Sequence, residues 1–540
     1  MQSDPEITGR EWRWVAAISA AILILSSLPY LAGHAAATDD LVFSGAVYDR
    51  QDYAFHLSTM QQGARGSWQY QILVTADAHP AGLVRLLYLG LGHAARLSGL
   101  TLPAVFHAAR LAFGAAALAA VYLFAARCLR PVALRRTALL FFGLGSGLGW
   151  LQLPLGWNLR PDLSPIDFWL IDAYGFFSLL AFPHFAAVIA LLPLGFDRLA
   201  AYLEAGRRRD LLLAAAAGVG LQFLQPYAPW ILDLTAVSLA VRPRYPNRRL
   251  LAALLALGLA QAPYFLYVVR LFSHDPVWAS IQDQTLTLSP PPAAYLLGYG
   301  ILTPLAVWGA AKLLRRGAGT ARRLAVTWPL AAFALAYLPW NLQRRFTEGV
   351  MVPLAILAAL GLGYGLLPAV RRWLGRQRRA GEWRRRRNLS LAFFAGAASI
   401  SSLVLAVGGA ALAASRPPEI YDPASIYTAA ERLQATAGWQ EPVVTAERTG
   451  SILAAHIGQR VVLGHVIETP FYPERSAQVR AFFSSGTADS ARRGWLLDCG
   501  CRYVFFGPYE RELGAWDPGQ APFLEPVITV EDVTVYGVRP

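Results

Sequence analysis

Eleven apolar stretches run along the chain, each near the ~20 residues an α-helix needs to cross a ~30 Å hydrocarbon core. They fall at about 14–36, 102–126, 137–153, 176–201, 211–224, 227–241, 250–270, 293–311, 324–340, 349–368 and 389–413. Hydrocarbon offers no water to a backbone N–H or C=O, so such runs must satisfy their own backbone as helices. Composition agrees, with 55% of the 540 residues hydrophobic and 15% charged. A soluble domain carries roughly 25% charged residues. A disordered, nucleic-acid-binding or ordinary cytosolic protein is thereby excluded as the first reading. The fifth and sixth stretches are short and share Gln225-Pro226. Proline removes a backbone donor there, which predicts a tight hairpin. The first stretch is long for a signal peptide and lacks a clear cleavage context, so it reads as a retained anchor.

Segment 80–100 is apolar enough to pass for a further span, yet His79, Arg85, His93 and Arg96 sit at its mouth or along it. Counting it as a span would put the basic segment 127–136 outside. It is therefore read as an amphipathic helix lying on the outer surface. Lysine and arginine then sort by side. With the N-terminus inside, segments 1–13, 127–136, 202–210, 242–249, 312–323 and 369–388 hold 27 of them. The outer segments between spans hold seven: Arg50, Arg65, Arg85, Arg96, Arg160, Arg344 and Arg345. This split predicts a cytoplasmic N-terminus and a C-terminus outside. The net charge of +14 lies mostly in inner loops, where it orients the protein and attracts anionic lipid. No nucleic-acid partner is implied.

Two parts follow. Residues 1–414 read as an all-α polytopic membrane domain of about eleven transmembrane helices, with surface helices in a long first outer loop. Residues 415–540, after Arg416-Pro417-Pro418, read as a soluble outer domain with 11 arginines and 15 acidic residues. There, 423–437 predicts a helix, and 442–446, 460–463 and 503–506 predict short buried strands. The β-branched run after Phe523 predicts edge strands, and the alternation argues for a small α/β fold. Cys128, Cys499 and Cys501 make neither a disulfide framework nor a four-ligand zinc site. A bridge between Cys499 and Cys501, two residues apart, is expected to be strained.

Polar chemistry collects in the outer loops. The first holds Asp39, Asp40, Asp49, Asp52 and Asp77, the second Asp162, Asp167 and Asp172, and a later one Asp275 and Asp283. As a helix, Asp49, Tyr53, His56 and Met60 follow i, i+4, i+7, i+11 and share one face, while Asp52 and His56 are also one turn apart. The bland reading is a surface helix with a wet polar side. Arg344 and Arg345 sit in a very short outer loop against the charge trend. A planar guanidinium suits bidentate phosphate binding, and interfacial snorkelling is the alternative. His184, after Pro183 in the fourth stretch, is a packed bundle residue or a ligand of the site. Asp233, inside the sixth, is an intramembrane acid and so a site candidate or a structural partner.

These residues resemble a known family. Asp49, Tyr53 and Met60, then Gly66-Ser67-Trp68, then His79-Pro80 opening a surface helix, resemble the first outer loop of GT-C membrane glycosyltransferases. The nearest likeness is to the protein O-mannosyltransferase and aminoarabinose-transferase branches. It extends to the Arg-rich turn after Arg127, Pro183-His184, and Gln343-Arg344-Arg345 before a Pro-containing tenth stretch. The outer domain, with Gly464-His465, Glu468-Thr469-Pro470 and Tyr503–Phe506 followed by Gly507-Pro508, resembles that of a poorly characterised bacterial subset. His79-Pro80-Ala81 departs from the usual double proline, and Arg50 follows Asp49 where an acid often stands.

The resemblance implies a multi-pass protein of a bacterial-type plasma (inner) membrane. It would move a sugar from a polyprenyl-phosphate donor to a glycan, protein or lipid acceptor on the outer face. Asp49 would be the catalytic base on the acceptor hydroxyl. Arg344, Arg345, Tyr53, His79 and His184 would bind the lipid-phosphate substrate. Asp52, His56, Asp162, Asp167 and Asp172 are the positions for a second carboxylate or a divalent metal, which the Arg50 departure leaves open. The competing readings are a non-enzymatic transporter or flippase for lipid-linked glycans, and an assembly protein with a decayed site. A transporter calls for polar residues deep in several spans, whereas here, Asp233 apart, they cluster on the outer side.

Overall fold

The computed structural model describes residues 7–157, 160–241, 245–315, 319–373 and 380–539. Arg242, Arg244, Arg316, Arg376, Arg378 and Arg379, counted above among the inner basic residues, lie outside the described residues. Every apolar stretch is helical, but the stretches are unequal. Five helices are long and apolar enough to cross a membrane: Gly9–Ala36, Leu102–Cys128, Pro183–Ala205, Asn247–His274 and Met351–Arg372. Two bent pairs raise that number to seven, Pro292–Tyr299 with Leu302–Leu314 and Arg386–Ala398 with Ile400–Ala414. The expected eleven full spans are therefore not what length alone supports. Helices Arg208–Leu224 and Thr320–Ala336 have 17 residues each, about 25 Å at 1.5 Å per residue. Val132–Leu144 stops at an extended Gly145, and Pro229–Val237 passes into a short 3₁₀ turn.

The chain divides into two compact units. The first comprises Met1–Leu28, Ala109–Leu266 and Thr287–Gly409. Its helices pack closely where glycines face backbone: a Cβ on Gly309 would strike the Leu357 carbonyl, and one on Gly361 the Leu305 carbonyl. Several arginines of this unit are matched by acids. Arg135 meets Glu11 at 3.0 Å and Arg127 meets Asp197 at 2.7 Å, while Arg198 and Arg207 share the buried Asp210 at 3.0 and 2.9 Å. Basic side chains in this unit thus hold helices together as well as contributing charge.

The second unit comprises Pro29–Ala108, Tyr267–Leu286 and Ala410–Pro540. It gathers the segment after the first long helix, a later loop and the C-terminal region into one body. Strand β1 (Leu41–Phe43) pairs antiparallel with β2 (Tyr421–Pro423). A four-stranded sheet follows, with β3 (Val443–Val444), β4 (Tyr503–Phe506), β5 (Leu524–Val530) and β6 (Val533–Val538) in the order β3-β4-β6-β5. β3 runs parallel to β4, and the other pairs are antiparallel.

Alternation along β4 puts Phe505 in one core with Ile426, Leu433 and Leu453, and Val504 and Phe506 in another with Phe482, Phe483 and Leu496. Helices thus cover both faces, as the α/β expectation requires. Segment 460–463 makes a single parallel bridge to Val443, and on its other edge the Val461 amide donates to the Leu73 carbonyl. Of the two strands after Phe523, β5 is the edge and β6 is internal. Cys499 and Cys501 are joined as a disulfide with Cα atoms 5.3 Å apart. The intervening Gly500 turns the chain between them at φ 64°.

Segment 80–100 contains a helix of 13 residues, Leu86–Ser98. At about 20 Å it is too short to cross a membrane. It packs against helix Arg50–Ala64 through two reciprocal glycines: a Cβ on Gly63 would strike the Leu89 carbonyl, and one on Gly92 the Met60 carbonyl. This close seat fixes the helix that begins at Asp49.

Candidate active site

In the second unit, Asp49 caps helix Arg50–Ala64 from a left-handed backbone, φ 51° and ψ 57°. Its side chain accepts the Asp52 amide at 3.4 Å. A non-glycine residue there stores strain of about 1–3 kcal/mol, tolerated where surrounding structure over-determines it. Aspartate is among the residues that adopt this conformation most readily. Asp49 is exposed, whereas Tyr53, His56 and Met60 behind it are buried. The expected polar face is therefore a core face. His56 stacks on Tyr88 with centroids 4.0 Å apart, and Tyr53 packs edge-on to Phe106 at 4.9 Å. These two side chains hold the helix down while the carboxylates at its start face outward.

Asp52 is one-third exposed and receives His465 Nε2 at 3.0 Å. Three residues on, Glu468 pairs with Arg85 at 2.7 Å. Arg85 is the left-handed residue before helix Leu86–Ser98, and its guanidinium lies 4.3 Å from the Phe55 ring centroid. Arg50 donates to the Glu419 carbonyl at 3.2 Å and reaches the fully buried Asp422 at 3.5 Å. The acid-to-arginine departure after Asp49 is thus an internal anchor. His79 is fixed as a single tautomer: Nε2 accepts the Ile72 amide at 2.9 Å, and Nδ1 donates to the Asp77 carbonyl at 2.9 Å. Burial lowers its pKa. It lines a cavity of about 190 Å³ with Gln71, Gln440 and Arg460.

In the first unit, Arg344 lies 5.2 Å over the Trp169 ring, and its amide donates to the Thr287 carbonyl. Arg345 turns to the buried Asp172 at 3.4 Å. Beside them Glu348 is fully buried, one oxygen accepting the Tyr227 hydroxyl at 3.4 Å. Burial drives the Glu348 pKa well up and Asp172 repels its charge, with Arg345 opposing. Both effects favour the protonated acid. A raised folded-state pKa gives stability that is full below the ordinary carboxyl range and is lost as pH rises toward the raised value. Glu348→Gln removes that dependence. Its thermal midpoint in detergent is expected to gain on the wild type between pH 5 and pH 8, and a constant difference would show that Glu348 is ionised.

Asp167 is buried, and its Oδ2 accepts the Gly147 and Gly149 amides at 3.0 and 3.1 Å. Asp162 is exposed beside Arg160 at 3.1 Å. His184 is buried between Phe182 and Phe185, with centroids 5.6 and 4.1 Å away. Asp233 accepts Gln261 at 3.3 Å, a structural partner for an intramembrane acid. Among the described residues no three His, Cys, Asp or Glu side chains gather as cation ligands. With Arg50 next to Asp49 and His465 on Asp52, the donor set around Asp49 does not fit a divalent ion. Sequence reasoning gave no role to His465, Glu468, Arg85 or Glu348. The Gly464-His465 and Glu468-Thr469 pairs were visible as a motif, but their partners lie more than 380 residues away.

No protein-family model and no curated protein matches the chain. Solved structures do match it. The apo oligosaccharyltransferase of Archaeoglobus fulgidus is similar at TM-score 0.55 and 13% identity, over 91% of this chain and 69% of that one. Arabinofuranosyltransferase AftD from mycobacteria gives TM-score 0.57 and 16% identity, over 99% of this chain and 40% of that one. ArnT from Cupriavidus metallidurans, bound to undecaprenyl phosphate, gives TM-score 0.50 and 15% identity, over 97% and 98%. These are GT-C glycosyltransferases, and the chain has their fold. It is a multi-pass membrane protein.

Proposed function

We propose that this protein is an integral-membrane glycosyltransferase. It takes a sugar from a polyprenyl-phosphate donor and gives it to an acceptor hydroxyl on the outer face of a bacterial-type inner membrane. The observation that carries this reading is Asp49, an exposed carboxylate held in a left-handed cap at the start of a firmly seated helix, within a GT-C fold. The undecaprenyl phosphate in the ArnT structure supports the donor class.

The chemistry needs few parts. Asp49 takes the proton from the acceptor hydroxyl as its oxygen attacks the anomeric carbon. The bond from that carbon to the phosphate oxygen breaks, and its electron pair leaves on the lipid phosphate. A phosphate is a good leaving group and needs no general acid, but its charge needs a cation, the role given to Arg344. Attack opposite the leaving group inverts the anomeric centre.

The test is transfer by the purified protein in vesicles, with undecaprenyl-phosphate sugars as donors and a panel of glycan, peptide and lipid acceptors. Transfer that inverts the anomeric configuration supports the reading. Movement of a lipid-linked sugar between leaflets without a new glycosidic bond would support transport instead. The orientation is part of the proposal, with domains at 1–414 and 415–540 and the second outside. A reporter fused after Pro540 is expected to work only in the extracytoplasmic space, and cytoplasmic activity would overturn the topology.

A further inference from the structure

The first turn after Asp49 is tied at several points to residues of the C-terminal region. Arg50 reaches the fully buried Asp422, which also receives Arg448 at 2.7 Å and the Tyr509 hydroxyl at 2.9 Å. Gln51 donates to Glu447, which is itself engaged by the Tyr472 hydroxyl. Asp52 takes His465 Nε2 at 3.0 Å. Further along the same helix, Gln61 and Arg65 donate to the carbonyls of Ala455, Ile457 and Gly458. Three consecutive residues beside a left-handed aspartate are thus tied to three separated points of one domain.

His465 differs from the other ties in being aimed as well as attached. Its Nδ1 accepts the amides of Ile467 and Glu468 at 3.0 and 3.1 Å. That nitrogen therefore carries no proton, and the ring hydrogen sits on Nε2, directed at the Asp52 carboxylate. The ring is almost wholly buried and packs 5.6 Å from Phe55. The backbone amide of His465 donates to Thr469 Oγ1 at 3.1 Å, which closes the turn under it. Asp52, oriented from behind, passes its own amide to Asp49 at 3.4 Å. One turn of the C-terminal domain, through His465 on Asp52 and Glu468 on Arg85, grips the starts of both helices of the first loop.

We infer that His465 is a positioning residue of the carboxylate site: it orients Asp52, and through the Asp52 amide it holds Asp49, so that the C-terminal domain completes the active centre instead of merely being attached to it. This rests on the glycosyltransferase reading given above. Hydrogen bonding from a fixed donor turns a mobile surface carboxylate into one with a set direction, which is how a supporting residue raises the turnover of a site it does not touch chemically.

The experiment has two arms on the full-length protein in detergent or vesicles. The first is a double-mutant cycle of Asp52→Ala and His465→Ala read by thermal unfolding. The two losses are expected to be non-additive, with the double variant melting no lower than the worse single one. Additive losses overturn the inference alone. The second arm measures sugar transfer. His465→Ala is expected to lower kcat by about 10–100-fold, with the KM for the polyprenyl-phosphate donor unchanged. His465→Gln, whose amide N–H can take the place of Nε2–H, is expected to recover most of that loss. A His465→Ala protein with wild-type kcat, or a Gln variant no better than Ala, overturns the positioning role. A wild-type protein that transfers no sugar at all overturns the function reading, and this inference with it, a result separate from additive unfolding losses.

Discussion

Asp49→Asn is expected to cut sugar transfer by about 10²–10⁴-fold, the usual loss when a general base is removed, without unfolding the protein. The substitution is a clean one because of where Asp49 sits. Asparagine adopts the left-handed backbone nearly as readily as aspartate, and its side-chain oxygen caps a helix as well. The helix behind it is anchored by Tyr53, His56, Met60 and the reciprocal glycines 63 and 92. What changes is the ability to take a proton. Donor binding, followed by displacement of a labelled undecaprenyl-phosphate sugar, is expected to stay at the wild-type level. Asp52→Asn keeps an oxygen to accept the His465 hydrogen and is expected to lose less. Near-normal transfer by Asp49→Asn beside an inactive Asp52→Asn would move the base to Asp52.

Arg344→Ala is expected to cost about 2–4 kcal/mol of transition-state stabilisation, or roughly 30- to 1,000-fold in kcat/KM for the donor. The two adjacent arginines separate by their surroundings. Arg345 is committed to the buried Asp172, in a cluster that also contains the buried Glu348. Arg344 rests on the face of Trp169, and its planar guanidinium suits bidentate contact with two oxygens of a phosphate. Arg345→Ala leaves Asp172 without its cation and is expected to lower stability by about 1–3 kcal/mol. Its signature is therefore a fall in the melting midpoint, whereas the Arg344 variant melts normally and turns over slowly. Unchanged donor kinetics in Arg344→Ala would remove the phosphate role from this loop.

The membrane character and the helical content of residues 9–414 could be read from the sequence, because apolar length is a local property and hydrocarbon permits one local answer to it. The GT-C fold was legible for a similar reason: Asp49, Tyr53, Met60, the Gly66–Trp68 turn and His79-Pro80 lie within 32 residues of one another. The number of full spans was less legible. Breaks at Phe182-Pro183, at Gly300 and at Ser399 divide runs whose composition is continuous, and hydropathy does not register a bend. The helix at Asp49 was expected, but its wet and dry faces were reversed. A Tyr and a His at helical spacing look polar in one dimension, and only the packing of Tyr88 and Phe106 against them shows a core.

The meaning of individual charges belonged almost wholly to tertiary structure. Arg50 after Asp49 reads locally as a departure from a pattern, and Asp422 explains it from 372 residues away. Asp52 reads as a rival base or a metal ligand until His465, 413 residues on, is found on it. Arg344 and Arg345 are indistinguishable as neighbours in a loop until Trp169 and Asp172 separate them. The sequence by itself determined that most of the chain is apolar helix and which loop carries the carboxylates, since both follow from the chemistry of contiguous residues. Only the folded chain decided which carboxylate is exposed, which is clamped and which is fully buried, because the energy of a charge is set by the groups within a few ångströms of it, wherever along the chain they come from.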